Sequence, residues 1–225
     1  MIYKPENNEL RNPKKKVIQE ADIELEAVKQ VNIVSKENIL FDSIQDIYIS
    51  NNKQKTWKHV QEVAKTAACL ADKYSLDAEK VRIASMLHDV SAIMSPQEMY
   101  DMAISRNMLI DPAEDKYHFL LHQRISRIIA EERFDVKDED ILSAIECHTT
   151  LKKNSNLYDK TVFIADKISW DQEGNPPYYE ELKMLATESL YDACYFYIDY
   201  QFSNNLLLMP HRWIVEAYEE LKRSR

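Results

Sequence analysis

Glycine is almost missing from this chain of 225 residues, with Gly174 the one example. Strand-rich folds use glycine in tight turns and bulges, so its scarcity argues against a sheet protein and for an all-α one. Cysteine is nearly as scarce. Cys69, Cys147 and Cys194 are scattered through helical patterns with no close pair. That excludes a disulfide framework and a paired-cysteine zinc motif, and fits reduced thiols in a cytoplasmic setting. No apolar run approaches the ~20 residues of a membrane span, and the polar N-terminus does not read as a secretion signal. A basic surplus is missing too: 38 acids outnumber 29 Lys and Arg, for a net charge of -9. The expected partners therefore exclude membranes and nucleic acid. Repeats and low-complexity tracts are absent.

What remains is a sequence of amphipathic helices, long enough to bury one sizeable core. Residues 1–36 read as a separate N-terminal extension, close to neutral in charge. Asn12-Pro13 opens a helix there, with Val17, Ile18, Ala21, Leu25, Val28 and Val31 at helical spacing. Its apolar face is a candidate contact with the body or with a second copy in a homodimer. Residues 37–225 form the main domain. A helix over residues 36–50 ends at Asn51-Asn52, and the next spans 54–74. Asp77 caps a short helix, and Ser95-Pro96-Gln97-Glu98 has the residues of a capping box with proline in the first turn. Residues 106–117 read as irregular. Asp138 starts another helix, and Pro176-Pro177 with Gly174 marks a loop. From about residue 180 the pattern reads as two helices divided near Asn204-Asn205, the last opening at Pro210.

Against this background one constellation stands out. His88-Asp89 ends an apolar helix containing Val81, Ile83, Ala84, Met86 and Leu87. An imidazole beside a carboxylate offers a cation two donors from one turn. His59 lies 29 residues earlier; His122, His148 and Asp166 follow at steps of 33, 26 and 18 residues. Each step is about one helix plus a loop, which suggests a metal-centred site fed by one or two ligands per helix. Asp166 falls three and four residues after Phe163 and Val162, on an apolar face, where an unpaired carboxylate is expensive. His118 and His122 are four apart, on one helical face; His122 is read as the ligand and His118 as exposed. Cys147 is read as a small core hydrophobe and His211 as structural.

His59, His88-Asp89 and Asp166 resemble the metal-binding signature of the HD-domain phosphohydrolase superfamily, an all-α helical bundle. Adding His122 and His148 resembles its six-ligand, two-metal branch. The strings Leu87-His88-Asp89, Leu121-His122, Ala144-Ile145-Glu146-Cys147-His148-Thr149-Thr150 and Phe163-Ile164-Ala165-Asp166 look like the YqeK-like proteins, symmetrical diadenosine tetraphosphate hydrolases. The resemblance covers residues 38–225. It implies hydrolysis of a small nucleotide substrate to two ADP by a metal-activated water. His59, His88, Asp89, His122, His148 and Asp166 would be metal ligands, with His88 and Asp89 central to catalysis. The cofactors it implies are two divalent ions, iron first, with manganese or zinc as alternatives. Lys152, Lys153, Lys167 and Thr149 would meet the substrate. The chain departs from the family at Thr56, where an Arg is usual, at Ala92, where a Lys is usual, in the loop 151–156, and at Ser169-Trp170-Asp171-Gln172. These departures keep open another nucleotide or phosphoester substrate, or a catalytically idle nucleotide-binding module.

Overall fold

The computed structural model describes residues 40–170 and 174–223. The chain forms two units, Met1–Ser43 and Ile44–Arg225, and the second is described below. The N-terminal helix expected within residues 1–36 lies outside the described residues. Every regular element among the described residues is helical, as the glycine content led one to expect. We number the helices α1 (residues 40–50), α2 (Gln54–Lys73), α3 (Ala78–Leu87), α4 (Pro96–Ser105), α5 (Pro112–Lys116), α6 (His122–Arg133), α7 (Glu139–Cys147), α8 (Leu157–Ile168), α9 (Tyr179–Glu188), α10 (Leu190–Ser203) and α11 (Arg212–Arg223). Short 3-10 turns at Val90–Ile93 and His118–Leu121 follow α3 and precede α6.

α2 is the axis of the bundle. Its buried residues Val60, Val63, Ala64, Ala67, Leu70 and Ala71 recur every three to four positions and form one stripe. That stripe enters a core shared with Val81 of α3, Cys147 of α7, Phe163 and Ile164 of α8, Leu182 of α9, Cys194 and Ile198 of α10, and Ile214 of α11. Cys147 is fully buried among them. A smaller cluster of Met99, Ala103, Leu121 and Ile125 joins α4 to the start of α6. No helix among the described residues is long and apolar enough to cross a membrane.

The ends of the helices follow local chemistry. Asp77, Asp138 and Ser189 accept hydrogen bonds from the free backbone N–H groups of α3, α7 and α10. Complete capping boxes form at Ser95/Glu98, Asp111/Glu114 and Asn156/Asp159. With glycine scarce, the left-handed residues at chain reversals are largely Asn, Asp and Ser: Asn52, Ser75, Asn107, Asp135, Asn154 and Asn205 all have φ between 50° and 57°. Leu151 adopts the same conformation, an unusual choice for a bulky side chain, and is held by complete burial and by its N–H to the Cys147 carbonyl at 2.7 Å.

Three expectations change. Residues 106–117 are not irregular throughout, because Asp111 and Pro112 nucleate α5. The stretch after residue 180 holds three helices, since Ser189 turns extended and recaps the chain as α10. His118 and His122 do not share a helical face: His118 opens a 3-10 turn and α6 begins only at His122. His118 stacks on Tyr100 instead, ring centres 3.9 Å apart.

Candidate metal centre

Two of the key histidines are placed by helix ends. His88 is the C-terminal cap of α3 and His148 that of α7, so the negative ends of two helix dipoles point toward the same place. Asp89 follows His88 at the start of the Val90–Ile93 turn. α2 supplies His59, α6 its first residue His122, and α8 Asp166 from its last turn.

These six side chains converge. His59 Nε2 lies 3.0 Å from Asp166 Oδ1, and His88 Nε2 lies 3.7 Å from the same oxygen and 3.6 Å from Asp89 Oδ2. The other Asp89 oxygen is 3.6 Å from His122 Nε2 and 3.5 Å from His148 Nε2. Two groups of potential ligands result, His59/His88/Asp89 and Asp89/His122/His148, with ligand atoms in each within 4.8 Å of one another. Asp89 belongs to both, and Asp166 sits between His59 and His88.

The protonation pattern fits a cation. Nδ1 of His88, His122 and His148 each faces the carbonyl three residues earlier, on Ser85, Phe119 and Ile145, at 2.6, 2.7 and 2.9 Å. A carbonyl only accepts, so Nδ1 carries the proton and Nε2 presents a lone pair. His88 Nε2 is buried with no hydrogen-bond partner among the described residues, and the Nε2 atoms of His122 and His148 stand 3.0 Å apart. Two lone pairs at that distance repel, and a cation against both relieves the repulsion. Mixed imidazole and carboxylate donors of this kind suit divalent first-row metals.

Burial would raise the Asp89 carboxyl, but the imidazoles of His88, His148 and His122, in their protonated forms, hold it well below the usual carboxylate range. Burial likewise opposes ionisation of Asp166, and Lys167, His59 and His88 outweigh it. His148, nearly fully buried, is pushed down to about 4, mainly by burial, so it stays a neutral ligand. Lys167 donates to Asp166 Oδ2 at 2.6 Å and packs over the rings of Phe163 and Tyr197.

Of the four groups expected to meet a substrate, two lie at the cluster. Thr149 Oγ1 is 2.9 Å from His122 Nε2, and Lys167 is bound to Asp166. Lys152 is engaged by Glu146 at 3.2 Å, and Lys153 is exposed. His211 is buried against Glu114, 3.4 Å away, apart from the cluster. Positioning groups that the pattern did not reveal also emerge. The buried Gln123 accepts from the N–H groups of Thr149 and Thr150 and donates to Thr150 Oγ1, clamping the turn after His148 onto α6. Ser91 donates to the His122 carbonyl and is met by Ser126. Their one sequence signal is proximity: Gln123 follows His122 directly, and Ser91 lies two residues after Asp89.

The HD domain family model matches residues 56–171. The chain is 37% identical over 142 residues to an uncharacterized protein in the pepC 5' region of Lactococcus lactis subsp. cremoris, covering 63% of this chain and 72% of that protein. It is 30% identical over 135 residues to the symmetrical bis(5'-nucleosyl)-tetraphosphatase of Bacillus subtilis, covering 60% of this chain and 71% of that one. A crystal structure from Clostridium acetobutylicum, described as a predicted HD superfamily hydrolase involved in NAD metabolism, superimposes with a TM-score of 0.76 at 30% identity, over 82% of this chain and 98% of that one.

Proposed function

The chain belongs to the HD-domain family, and from that premise we propose that it is a metal-dependent phosphohydrolase that cuts diadenosine tetraphosphate symmetrically into two ADP. The observation that carries the reading is Asp89, whose two oxygens face separate imidazole groups. The similarity to the tetraphosphatase of Bacillus subtilis supports the substrate.

In this reading His59, His88, Asp89 and Asp166 hold one divalent ion, and Asp89, His122 and His148 a second, iron being the first choice and manganese or zinc the alternatives. When bound, the ions supply positive charge against phosphoryl oxygens and acidify water to near neutral pH. The protein's own groups do the rest. Lys167 occupies Asp166 Oδ2, which leaves Oδ1 toward His59 and His88 and fixes the carboxylate's orientation. Thr149 Oγ1, now on His122 Nε2, can donate to a phosphoryl oxygen once that nitrogen is engaged. Hydrolysis breaks the central P–O–P link: one ADP gains the hydroxyl of water, and the other takes the proton.

The test uses protein purified without oxygen and supplied with ferrous or manganous ion, with products separated by chromatography. The expected result is ADP alone, about two metal equivalents per chain, and a fall of more than about 100-fold in turnover for Asp89→Ala together with metal loss. ATP plus AMP, or undiminished turnover in Asp89→Ala, overturns the proposal. Thr56 and Ala92, in places where the resembled branch carries cations, favour a second reading as a hydrolase of a smaller nucleotide. A mononucleotide panel in the same assay separates the two.

A further inference from the structure

A groove of about 880 Å³ opens beside the metal centre, with His59 in its wall. It runs along the exposed side of α2, facing α9 and the end of α8. From His59 to Lys73 along α2 is about 21 Å at ~1.5 Å per residue, so the groove extends well past the candidate ligands. Its charge is unlike the rest of the molecule. In a chain of net charge -9, its wall carries Lys55, Lys58, Lys73 and Lys183. Among the described residues of that wall the one carboxylate, Glu62, is bound by Lys65 at 2.7 Å. Trp170 also lines the groove and is 39% exposed. Thr66 Oγ1 and Ser169 Oγ, 2.9 Å apart, tie α2 to the end of α8 just before it.

A part-exposed tryptophan beside several lysines, in a cleft continuous with a candidate metal ligand, matches the two needs of a nucleotide. A base has a π-face to stack, and its phosphates carry charge to neutralise. We propose that this groove seats one nucleoside diphosphate arm of the substrate, with Trp170 stacking on the base and Lys58, Lys73 and Lys183 lining the path of the phosphates. The proposal rests on the phosphohydrolase reading and adds the subsite that selects for a nucleotide. It also gives Trp170, at a position where the chain departs from the resembled family, a role in specificity.

The groove contains its own reporter. Cys69 lines it and is exposed, whereas Cys147 and Cys194 are buried. The experiment follows the reaction of Cys69 with dithiobis-nitrobenzoate in the full-length, metal-loaded protein, titrated with ADP. Saturating ADP should slow the reaction strongly. Trp170→Ala should raise the ADP concentration for half-protection about 10-fold, and Trp170→Phe much less. Inorganic tripolyphosphate, which has charge but no base, should protect wild type and Trp170→Ala alike. Lys73→Gln with Lys183→Gln should weaken protection by both ligands. ADP that leaves Cys69 unprotected, or protects Trp170→Ala as well as wild type, overturns the proposal. The two readings fail separately. Protection without dinucleotide turnover sinks the proposed reaction and leaves the groove. Turnover with an unchanged KM in Trp170→Ala and no protection sinks the groove alone.

Discussion

Asp89 concentrates what single residues contribute here. One carboxylate faces three imidazoles, and each of those three imidazoles is oriented by a backbone carbonyl of its own helix or turn. His148 provides a test at this scale. Burial pushes it to about 4, below the ~6.5 of an exposed imidazole. Between those values the unfolded chain binds a proton that the folded chain refuses. The metal-free protein should therefore gain stability as pH rises from about 4 to 6.5 and lose it as pH falls, by up to about 3 kcal/mol. Urea midpoints across that window should show the slope in wild type and a flatter one in His148→Gln. Most of the clustered side chains were legible in the sequence, because histidine and aspartate inside apolar runs are costly without partners. Gln123, Ser91 and Ser126 were not. An uncharged polar residue on a helix or turn looks the same whether it faces water or clamps a neighbour, and only the packing around α6 tells them apart.

Among the elements, α8 matters most, since it carries Asp166 and Lys167 and is started by one side chain. Asn156 accepts from the Asp159 N–H at 2.9 Å, and Asp159 returns a bond to the Asn156 N–H. Asn156→Ala should cost about 1 kcal/mol and lower Tm by about 2–4 °C, as scanning calorimetry would show. Capping chemistry explains which boundaries were legible. Asp77, Ser95 and Asp138 stand directly before an apolar periodic run and announce a helix. Ser189 stands inside such a run, between Leu185 and Ala193, so the hydrophobic pattern continues across a break that the backbone makes. The helix at Pro112–Lys116 was missed for the opposite reason. It spans five residues, too few for a period to be visible, and its evidence is the cap alone.

At the scale of the whole molecule, the candidate metal centre draws on α2, α6 and α8 and on the ends of α3 and α7. An ion held there binds the folded state and not the unfolded chain, so it stabilises by mass action. At ~100 times its dissociation constant the gain is about 2.7 kcal/mol. Adding ferrous or manganous ion to metal-free protein should raise Tm in a concentration-dependent way, and Asp89→Ala should show no such rise. Differential scanning fluorimetry with chelator controls decides the matter. The all-helical architecture was legible from glycine scarcity and periodicity, whereas the groove was not: its wall is assembled from α2, α8 and α9, which no local pattern relates. One contact has a consequence in time as well as in space. His59 meets Asp166 across 107 residues of chain. During synthesis, His59, His88 and Asp89 leave the ribosome long before the residue that closes their group, and Asp166 emerges only after the second set, His122 and His148, is already out. The partner that orients His59 is thus the last of the six clustered side chains to be made.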